Sequence, residues 1–268
     1  MKVAAIIVTH DREPDVVRRT LQSVIDQNHP LDDIILIDNG TQCNNDIKTW
    51  IDKNNHRIGY LYLPELSGPE ARNHGASLTE CEAICFLDDD DEWYPSKIQD
   101  QIQHLTKDVC LVSTPYVVEH SDHDSKFIPR NADMNNILGE NILGSTSFVM
   151  LSKKVFDRVG GFDPRLKANQ EWDLWMRMLL HGDSAISDGC AGIKHHSETS
   201  ITTNHGKRRD GWRTLIRKHK SQYLRNPKAM LTAFNFYRNE MRSYGFVLDY
   251  IMGTLGCCVA YVLRYVIK

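Results

Sequence analysis

The feature that most constrains this chain is a run of four aspartates at the end of an apolar stretch. Residues 83–87 are apolar, and the aspartates at 88–91 follow them without a break. Adjacent carboxylates repel each other by about 1 kcal/mol per close pair unless a cation neutralises them. Mg²⁺ is typically held by one or two carboxylates together with substrate phosphates. The run therefore predicts a metal–phosphate site at the carboxyl end of a buried strand, where open α/β sheets bind ligands. The alternative is a solvated acidic turn.

Further apolar runs predict that this strand belongs to a parallel sheet. Residues 3–8, 34–37 and 58–63 form three such runs, and segments with helical spacing separate them. This alternation is typical of an α/β fold with right-handed crossovers. Because the carboxyl ends of parallel strands meet at one edge, the polar residues that follow three of the runs should converge. These residues are Thr9 and His10, Asp38 and Asn39, and the four aspartates.

The second half of the chain is less regular. We predict a helix at 96–105, a strand at 109–118 interrupted by Pro115, a polar loop at 120–136, a strand at 144–151 and a helix at 153–159. A helix that starts near Asn169 has Glu171 and Asp173 in its first turn, where the helix dipole favours acidic residues. Apolar residues bury one face of this helix, so Glu171 is free to face a cleft. From about residue 206 the pattern is helical to the end.

Six short motifs occur in order along the chain. They are Val8-Thr9-His10-Asp11-Arg12, Ile37-Asp38-Asn39-Gly40-Thr41, Gly68-Pro69-Glu70-Ala71-Arg72-Asn73-His74-Gly75, the segment from Phe86 to Trp93, Gly160-Gly161-Phe162-Asp163 and Gln170-Glu171-Trp172-Asp173. In this order they resemble the motifs of family 2 GT-A glycosyltransferases, a group that includes many bacterial surface-polysaccharide enzymes. The resemblance covers about residues 3–203. It implies a Rossmann-like, mainly parallel central sheet flanked by helices, followed by a helical C-terminal extension.

The resemblance implies a site for a nucleotide-sugar donor and a divalent cation. The aspartates match the family's DxD segment, so Asp90 would bind Mn²⁺ or Mg²⁺, with Asp88 or Asp89 on the metal or the ribose. Arg72 would contact the base or the phosphates, and His196 would be a further metal or diphosphate contact. Thr9, His10, Asp38 and Asn39 would line the base pocket. Asn39 stands where the family usually has Asp. Its amide oxygen can still accept from a pyrimidine N3–H, and the departure leaves uridine versus thymidine open. A UDP-sugar is the favoured donor, and a dTDP-sugar is the alternative.

The resemblance also implies an inverting transfer with a single general base. Glu171 stands where the family usually has Asp and would take the proton of the acceptor hydroxyl. Asp173 is the alternative base. The expected acceptor is a glycan or a lipid-linked glycan in cell-surface polysaccharide synthesis.

Three other functions fit the sequence less well. A nucleotide-sugar pyrophosphorylase would need a glycine-rich N-terminal loop, and residues 8–13 contain no glycine. A haloacid-dehalogenase phosphatase would carry its aspartates at the first strand rather than the fourth. A nucleic-acid-binding protein would explain the basic C-terminal segment, but no known nucleic-acid module is visible.

Charge is distributed unevenly between two predicted regions. Residues 204–243 contain eleven Lys and Arg against two acidic residues, a net charge of +9 in a chain of net charge −3. We therefore predict a catalytic domain at 1–203 and a basic extension at 204–268. An uncharged run at 250–263 is too short to span a bilayer, which leaves two alternatives: contact with an anionic membrane surface, or packing on the domain or on a second copy. The lack of a signal peptide pattern and seven cysteines without metal-ligand spacing favour the cytoplasm.

Overall fold

The computed structural model describes residues 1–53, 57–120, 122–195, 205–243, 245, 252–253, 255–257 and 259. Its centre is a seven-stranded sheet, and a smaller four-stranded sheet lies beside it. The first four strands of the large sheet are β1 Val3–Thr9, β2 Asp33–Asp38, β3 Ile58–Tyr62 and β4 Ala83–Asp88.

These four strands confirm the predicted parallel arrangement. β1 lies between β2 and β4, and β3 pairs with β2, all in parallel. Thr9 is opposite Asp38, and Val8 is opposite Asp88. Strands buried on both faces read as continuous apolar runs, and β1 is buried along nearly its whole length. The polar ends of β1, β2 and β4 therefore meet at one edge of the sheet, which we call the catalytic edge.

The second half of the large sheet departs from the sequence prediction. The remaining strands are β5 Glu92–Trp93, β6 Val109–Ser113, β7 Tyr116–Val118, β8 Ser125–Phe127, β9 Val149–Ser152, β10 Asp183–Ile186 and β11 Gly192–Lys194. β9 pairs antiparallel with both β4 and β6, and β10 runs parallel to β6. The strand predicted at 109–118 is two strands, because Pro115 lacks an N–H and interrupts the ladder. The first part, β6, belongs to the large sheet, and the second part, β7, belongs to the small sheet with β5, β8 and β11.

Two other predictions for this half need correction. The strand predicted at 144–151 begins as a 3-10 turn, Thr146–Phe148, and only then enters β9. The loop predicted at 120–136 contains β8 and the start of a short helix. The described helices are α1 Pro14–Ile25, α2 Asn45–Lys53, α3 Gly68–Ser77, α4 Lys97–Ile102, α5 Met134–Ile137, α6 Lys153–Arg158, α7 Gln170–Met178, α8 His205–Lys218, α9 Lys220–Arg225 and α10 Pro227–Ser243.

Helices α8 to α10 share a hydrophobic core with the region before them. Trp212, Leu215 and Tyr223 from these helices are buried in one cluster with Trp172 and Trp175 of α7. The rings of Trp172 and Trp212 meet edge to face, with centroids 5.0 Å apart. The division at residues 203 and 204 stays a prediction about sequence organisation, since the described part of the extension packs on the core of the sheet region.

The uncharged run at 250–263 lies mostly outside the described residues. Of its described members, Gly253 lies against Arg238 and Gly256 against Phe234, so this part of the chain packs on α10. Within the described ranges, no helix has both the length and the apolar character needed to cross a membrane.

Candidate active site

The four aspartates form a tight turn at the end of β4. The N–H of Asp91 donates to the carbonyl of Asp88 at 3.1 Å. The hydroxyl of Thr20, on α1, lies 3.0 Å from the carbonyl of Asp89 and 2.9 Å from that of Asp91. Helix α1 therefore holds the turn by bonding the backbone carbonyls of the turn. The four carboxylates are left to point in different directions.

Each carboxylate has its own polar partners, which the sequence did not reveal. Asp89 is buried and accepts hydrogen bonds from Thr9 Oγ1 at 2.9 Å and from Arg12 Nε at 3.1 Å. Arg12 also reaches Asp90 Oδ2 at 2.9 Å. Arg72 pairs with Asp88 at 2.6 Å. Arg12, from the first motif, and Arg72, from the third, therefore bind three of the four aspartates.

Asp91 is turned into the protein rather than toward solvent. Its side chain accepts from Ser147 Oγ at 2.6 Å and from the backbone N–H of His195 at 3.2 Å. Burial and the neighbouring carboxylates Asp88 and Asp90 raise its pKa to about 7 against the opposing charge of Lys194. Asp91 thus joins the acidic turn to the small sheet, and the other three aspartates remain nearer the catalytic edge.

The other carboxyl pKa values differ with their neighbours. Burial raises the pKa of Asp90, and the charges of Asp88 and Asp89 raise it further. Burial acts in the same direction on Asp88, but the charges of Arg72 and Lys194 outweigh it and hold the pKa of Asp88 below the ordinary Asp value.

A cavity of about 360 Å³ opens beside the ends of β1 and β2. Of the residues expected to line a base pocket, Thr9 and Asp38 line this cavity, and His10 and Asn39 do not. Asp38 accepts from the N–H groups of Gly40 and Asn44 at 3.0 and 2.9 Å. It therefore shapes the loop that forms the wall. The full lining is Thr9, Asp11, Arg12, Glu13, Pro14, Asp38, Gln42, Cys43, Asn44, Asn45 and Asp46.

Asn39 and His10 lie next to this cavity and contact each other. His10 Nδ1 lies 2.8 Å from the carbonyl of Asn39. The side-chain amide of Asn39 donates to the carbonyl of Leu66 at 2.8 Å. Its Oδ1 is buried and has no hydrogen-bond partner among the residues described by the structure. A buried acceptor of this kind is suited to an N–H of a ligand.

Glu171 lies in the first turn of α7, as predicted. Its Oε1 is 3.5 Å from Nδ2 of Asn141. Burial raises the pKa of Glu171, Asp88 raises it further, and the charges of Lys194 and Arg72 oppose this shift. The environment of Glu171 therefore favours proton uptake.

Lys194 is a site residue that the sequence analysis missed. It ends β11, and its Nζ lies 3.3 Å from Ser145 Oγ. Burial alone would lower its pKa, but the charges of Asp91, Asp88 and Glu171 raise it above the ordinary Lys value. Its position directly before His195 and His196 was the only available signal. His195 is held between Glu92 and Glu119 at 2.7 and 2.8 Å, and the predicted site residue His196 lies outside the described residues.

Asp173, the alternative base, is fully buried on the opposite side of α7. It accepts from Arg177 at 2.7 Å, from Lys218 at 2.9 Å and from His219 at 2.8 Å. Burial alone would raise its pKa, but these partners hold the pKa below the ordinary Asp value. A carboxylate enclosed in this way has no access to an acceptor hydroxyl.

The oxygen ligands at the acidic turn fit a divalent cation that binds together with phosphates. In the described part of the chain, no three His, Cys, Asp or Glu side chains are placed to hold a metal alone. Asp88 and Asp90 nevertheless retain 29% and 18% side-chain exposure, so both carboxylates are accessible from the catalytic edge. Mg²⁺ in particular is usually bound by one or two carboxylates plus substrate phosphates.

Comparison with known proteins gives one family and several relatives. The family model described as Glycosyl transferase family 2 matches residues 4–162. A glycosyltransferase named for teichuronic acid biosynthesis, TuaG of Bacillus subtilis, is 27% identical over 213 residues, which cover 76% of this chain and 83% of TuaG. One named for colanic acid biosynthesis, WcaA of Escherichia coli, is 26% identical over 223 residues, 78% of each chain.

Solved structures share the fold. S. aureus TarS 1-349 in complex with UDP-GlcNAc superimposes with a TM-score of 0.70 at 16% identity, covering 97% of this chain and 79% of that one. The mannosyltransferase PcManGT of Pyrobaculum calidifontis, in complex with GDP-Man and Mn²⁺, gives a TM-score of 0.62 at 16% identity, covering 97% and 80%. The predicted GT-A fold, an α/β sheet flanked by helices with a helical C-terminal region, is confirmed.

Proposed function

The chain belongs to glycosyl transferase family 2, and from this premise we propose that it transfers a sugar from a nucleotide-diphosphate sugar to a hydroxyl of a glycan or lipid-linked glycan acceptor. A UDP-sugar is the favoured donor, with a dTDP-sugar second. The names of TuaG and WcaA support a role in bacterial cell-surface polysaccharide synthesis. The family match argues against the pyrophosphorylase and nucleic-acid-binding alternatives.

The observation that carries the proposal is the position of Glu171 at the catalytic edge. Its Oε1 meets Asn141, which also bonds the carbonyl of Gly144 at 3.2 Å, and the next residue, Ser145, contacts Lys194. The charges of Lys194, Asp88 and Arg72 act on its pKa from three separate elements. A general base must lie close to the anomeric carbon, and the groups that bind the diphosphate must lie on the other side of that carbon. Glu171 supplies the carboxylate that would accept the proton, and Arg72 and Lys194 are two cations that could face an anionic leaving group.

In this proposal the reaction is a single inverting displacement. The acceptor oxygen bonds to the anomeric carbon as its proton passes to Glu171, and the bond between that carbon and the diphosphate oxygen breaks. The nucleoside diphosphate leaves with the bonding electron pair. Arg72 and Lys194 are placed to stabilise the charge that develops on it, since preorganised cations act strongly in a partly desolvated site.

The acidic turn would supply the metal ligands. Asp90, together with Asp88, would hold Mn²⁺ or Mg²⁺, and Asp89 would orient the ribose side of the donor through its bonded partners Thr9 and Arg12. A bound divalent cation acts as a Lewis acid toward the departing diphosphate. His196 stays a predicted further contact.

The cavity beside β1 and β2 would hold the nucleoside. Thr9 and Asp38 line it. Asn39 follows Asp38 and does not line the cavity, and its buried, unpaired Oδ1 would accept from the N3–H of a pyrimidine if donor binding exposes it. The ring of His10 would stack on the base. An acceptor oxygen suits a base that carries a ring N–H, such as uracil or thymine.

A ligand panel tests the proposal. UDP-glucose, dTDP-glucose and GDP-mannose are added to the full chain with and without MnCl₂, and melting temperature and nucleotide release are measured. A bound ligand stabilises the folded state in proportion to the logarithm of its concentration relative to Kd. We expect the largest rise in melting temperature with UDP-glucose and Mn²⁺. The proposal fails if no nucleotide sugar raises the melting temperature or is consumed.

Inversion has its own test. Slow hydrolysis of α-linked UDP-glucose uses water as the acceptor, and ¹H NMR resolves the anomer of glucose that appears first. A single displacement releases the β-anomer initially, whereas initial release of the α-anomer would contradict a single displacement.

We further propose a cytoplasmic enzyme that contacts an anionic membrane surface through its basic extension. Met252, Leu255 and Val259 are exposed and spaced three and four residues apart, as on one face of a helix. Part of the basic charge is internal, because Arg208 pairs with Glu240 and Lys218 with Asp163 and Asp173. The alternative partner for this surface is a second copy of the chain.

Flotation with vesicles distinguishes the two occupants. The full chain should bind vesicles containing phosphatidylglycerol, bind less in high salt, and lose binding when Leu255 and Val259 are replaced by Ser. Binding to neutral vesicles alone would contradict the membrane proposal. A dimer in solution that the same replacements dissociate, without vesicle binding, would assign the surface to a second copy.

A further inference from the structure

Helix α7, which carries Glu171, has no side-chain cap at its start. Asn169 occupies the N-cap position in the left-handed conformation, with φ of 58°, and its side chain makes no cap hydrogen bond. An N-cap side chain normally satisfies one of the first free N–H groups of a helix. The orientation of α7 must therefore be set by contacts along its length.

Helix α8 of the extension supplies these contacts. Gly211 approaches the backbone of Ala168 so closely that an added Cβ would lie 2.7 Å from the Ala168 carbonyl oxygen. One residue after Gly211 and four residues after Ala168, the ring of Trp212 meets that of Trp172. At the far end of α8, Lys218 and the following His219 both bond to Asp173. Helix α8 and the residue after it thus follow α7 from two residues before its start through its first turn.

The contacts at Asp173 fix the rotation of α7 about its own axis. Successive residues of an α-helix are separated by about 100°, so residues two apart point in nearly opposite directions. With the Asp173 carboxylate held by Lys218 and His219, the side chain of Glu171 is directed to the other side of the helix. Buried ion pairs are better supported as devices that specify register than as sources of stability.

Lys218 also contacts the loop that supports the donor side of the site. Its Nζ lies 2.6 Å from Asp163 Oδ2. The preceding residue, Phe162, exchanges two hydrogen bonds of 2.8 Å with the Asn73 side chain, and its ring lies 5.6 Å from the guanidinium of Arg72. A single lysine of the extension therefore joins the helix of the proposed base to the loop that packs against the proposed donor arginine.

We propose that Lys218 and His219 are positioning residues for glycosyl transfer, which hold α7 so that Glu171 is aimed at the acceptor hydroxyl. This inference rests on the proposed function. Neither residue contacts the reacting groups: both act through the Asp173 carboxylate, and Lys218 also binds Asp163. The extension is in this way part of the catalytic apparatus as well as the candidate membrane surface.

The test compares Lys218→Met and Lys218→Arg with Lys220→Met, a control on the exposed lysine two positions along. Displacements of about 1 Å can reduce a rate roughly 100-fold. We expect Lys218→Met to lower kcat about 10- to 100-fold, with donor KM within about twofold. Lys218→Arg should recover most of the loss because it keeps the charge, and Lys220→Met should match the parent chain. His219→Gln provides an independent variant if Lys218→Met does not fold.

A double-variant cycle shows whether the effect passes through Glu171. In a Glu171→Gln background, Lys218→Met should change kcat less than about twofold, because residues that act as one unit are not additive. An equal loss in both backgrounds, or an unchanged kcat in Lys218→Met, overturns the positioning role. Full activity of Glu171→Gln alone overturns the assigned base instead, so the two proposals fail separately.

Discussion

The two sides of helix α7 place carboxylates two residues apart in opposite environments. Glu171 faces the catalytic edge, where burial raises its pKa. Asp173 faces the extension, where Arg177, Lys218 and His219 hold its pKa below the ordinary value. A carboxyl with a raised pKa is a better proton acceptor when ionised, whereas one saturated with donors is a fixed anion. The comparison teaches that hydrogen-bond saturation, rather than residue type or motif position, separates a proposed base from a structural acid.

The largest effect is expected at the catalytic edge, the side of the site that Glu171 faces. Removing a proposed metal ligand there should abolish activity and leave the fold intact. Asp90→Ala deletes the carboxylate expected to bind the cation, so turnover of UDP-glucose with Mn²⁺ should fall below detection. Circular dichroism and urea unfolding should remain close to those of the parent. Asp15→Ala, at an exposed surface pair with Arg18, is the matched control. Full activity of Asp90→Ala, or of the parent in excess EDTA, would contradict the assigned site.

The next largest effect is expected at the base itself. Glu171→Gln keeps the shape of the side chain and removes its basic oxygen, so kcat should fall roughly 100-fold, as general-base contributions typically do. Donor affinity, measured by calorimetry with UDP and Mn²⁺, should change little. If Glu171→Gln retains most activity while Asp173→Asn folds and is inactive, Asp173 is the general base and Glu171 is not.

On the side of α7 that faces the extension, replacing Asp173 should mainly lower the free energy of unfolding. Asp173→Asn leaves Arg177 and Lys218 without their shared anion, and breaking a buried ion pair by removing one partner typically costs about 3–5 kcal/mol. Urea unfolding at pH 7 measures this loss, with Asp157→Asn on the exposed pair with Lys153 as the control. A loss no larger than that of the control would mean that the buried cluster is not coupled to folding.

The smallest expected effect is a difference between the pH at which activity is lost and the lower pH at which the folded state is lost. Glu171 must be ionised to act, and Lys194, Arg72, Asp88 and Tyr116 are the charged and titratable groups that interact with it. Because its folded pKa is raised, kcat should fall as pH drops through a midpoint above about 4.3, the ordinary Glu value. Asp173 has a lowered folded pKa, so its stabilisation is complete above about pH 3.9 and is lost only below that value.

Profiles of kcat and of circular dichroism against pH measure the two transitions in one buffer series. We expect activity to disappear at a higher pH than the folded signal. Coincident midpoints would mean that acid inactivation is unfolding, and that the two carboxylates are not in different environments.

The sequence predicted the catalytic edge well because its information is local. Each of the strands β1, β2 and β4 ends in polar residues that can be read directly, and parallel pairing brings those ends together. The same logic placed Glu171 at the mouth of α7. The fold class followed from the alternation of strands and helices, and the motif order added the family.

Pairing across long chain separations could not be predicted in this way. Asp91 binds the backbone of His195, which is 104 positions away, and neither spacing nor composition links the two. Lys194 gave no motif signal, and Arg12 was read only as part of the opening motif. The break at Pro115 was visible, but the sequence does not state that the next strand joins a different sheet. Such outcomes depend on tertiary packing, which overrides local preference.

The shared core around Trp172 and Trp212 has a consequence for the order in which the protein is made. Synthesis proceeds from the N-terminus, and segments fold as they become available. Strands β1 to β4 can pair early, and α7 can pack on the region before it, but its partners in the extension become available only after α8 has been translated. The nascent chain would therefore hold a nearly complete nucleotide site long before its base is oriented. If the extension positions Glu171 as proposed, competence for transfer would arrive last, when the extension has left the ribosome.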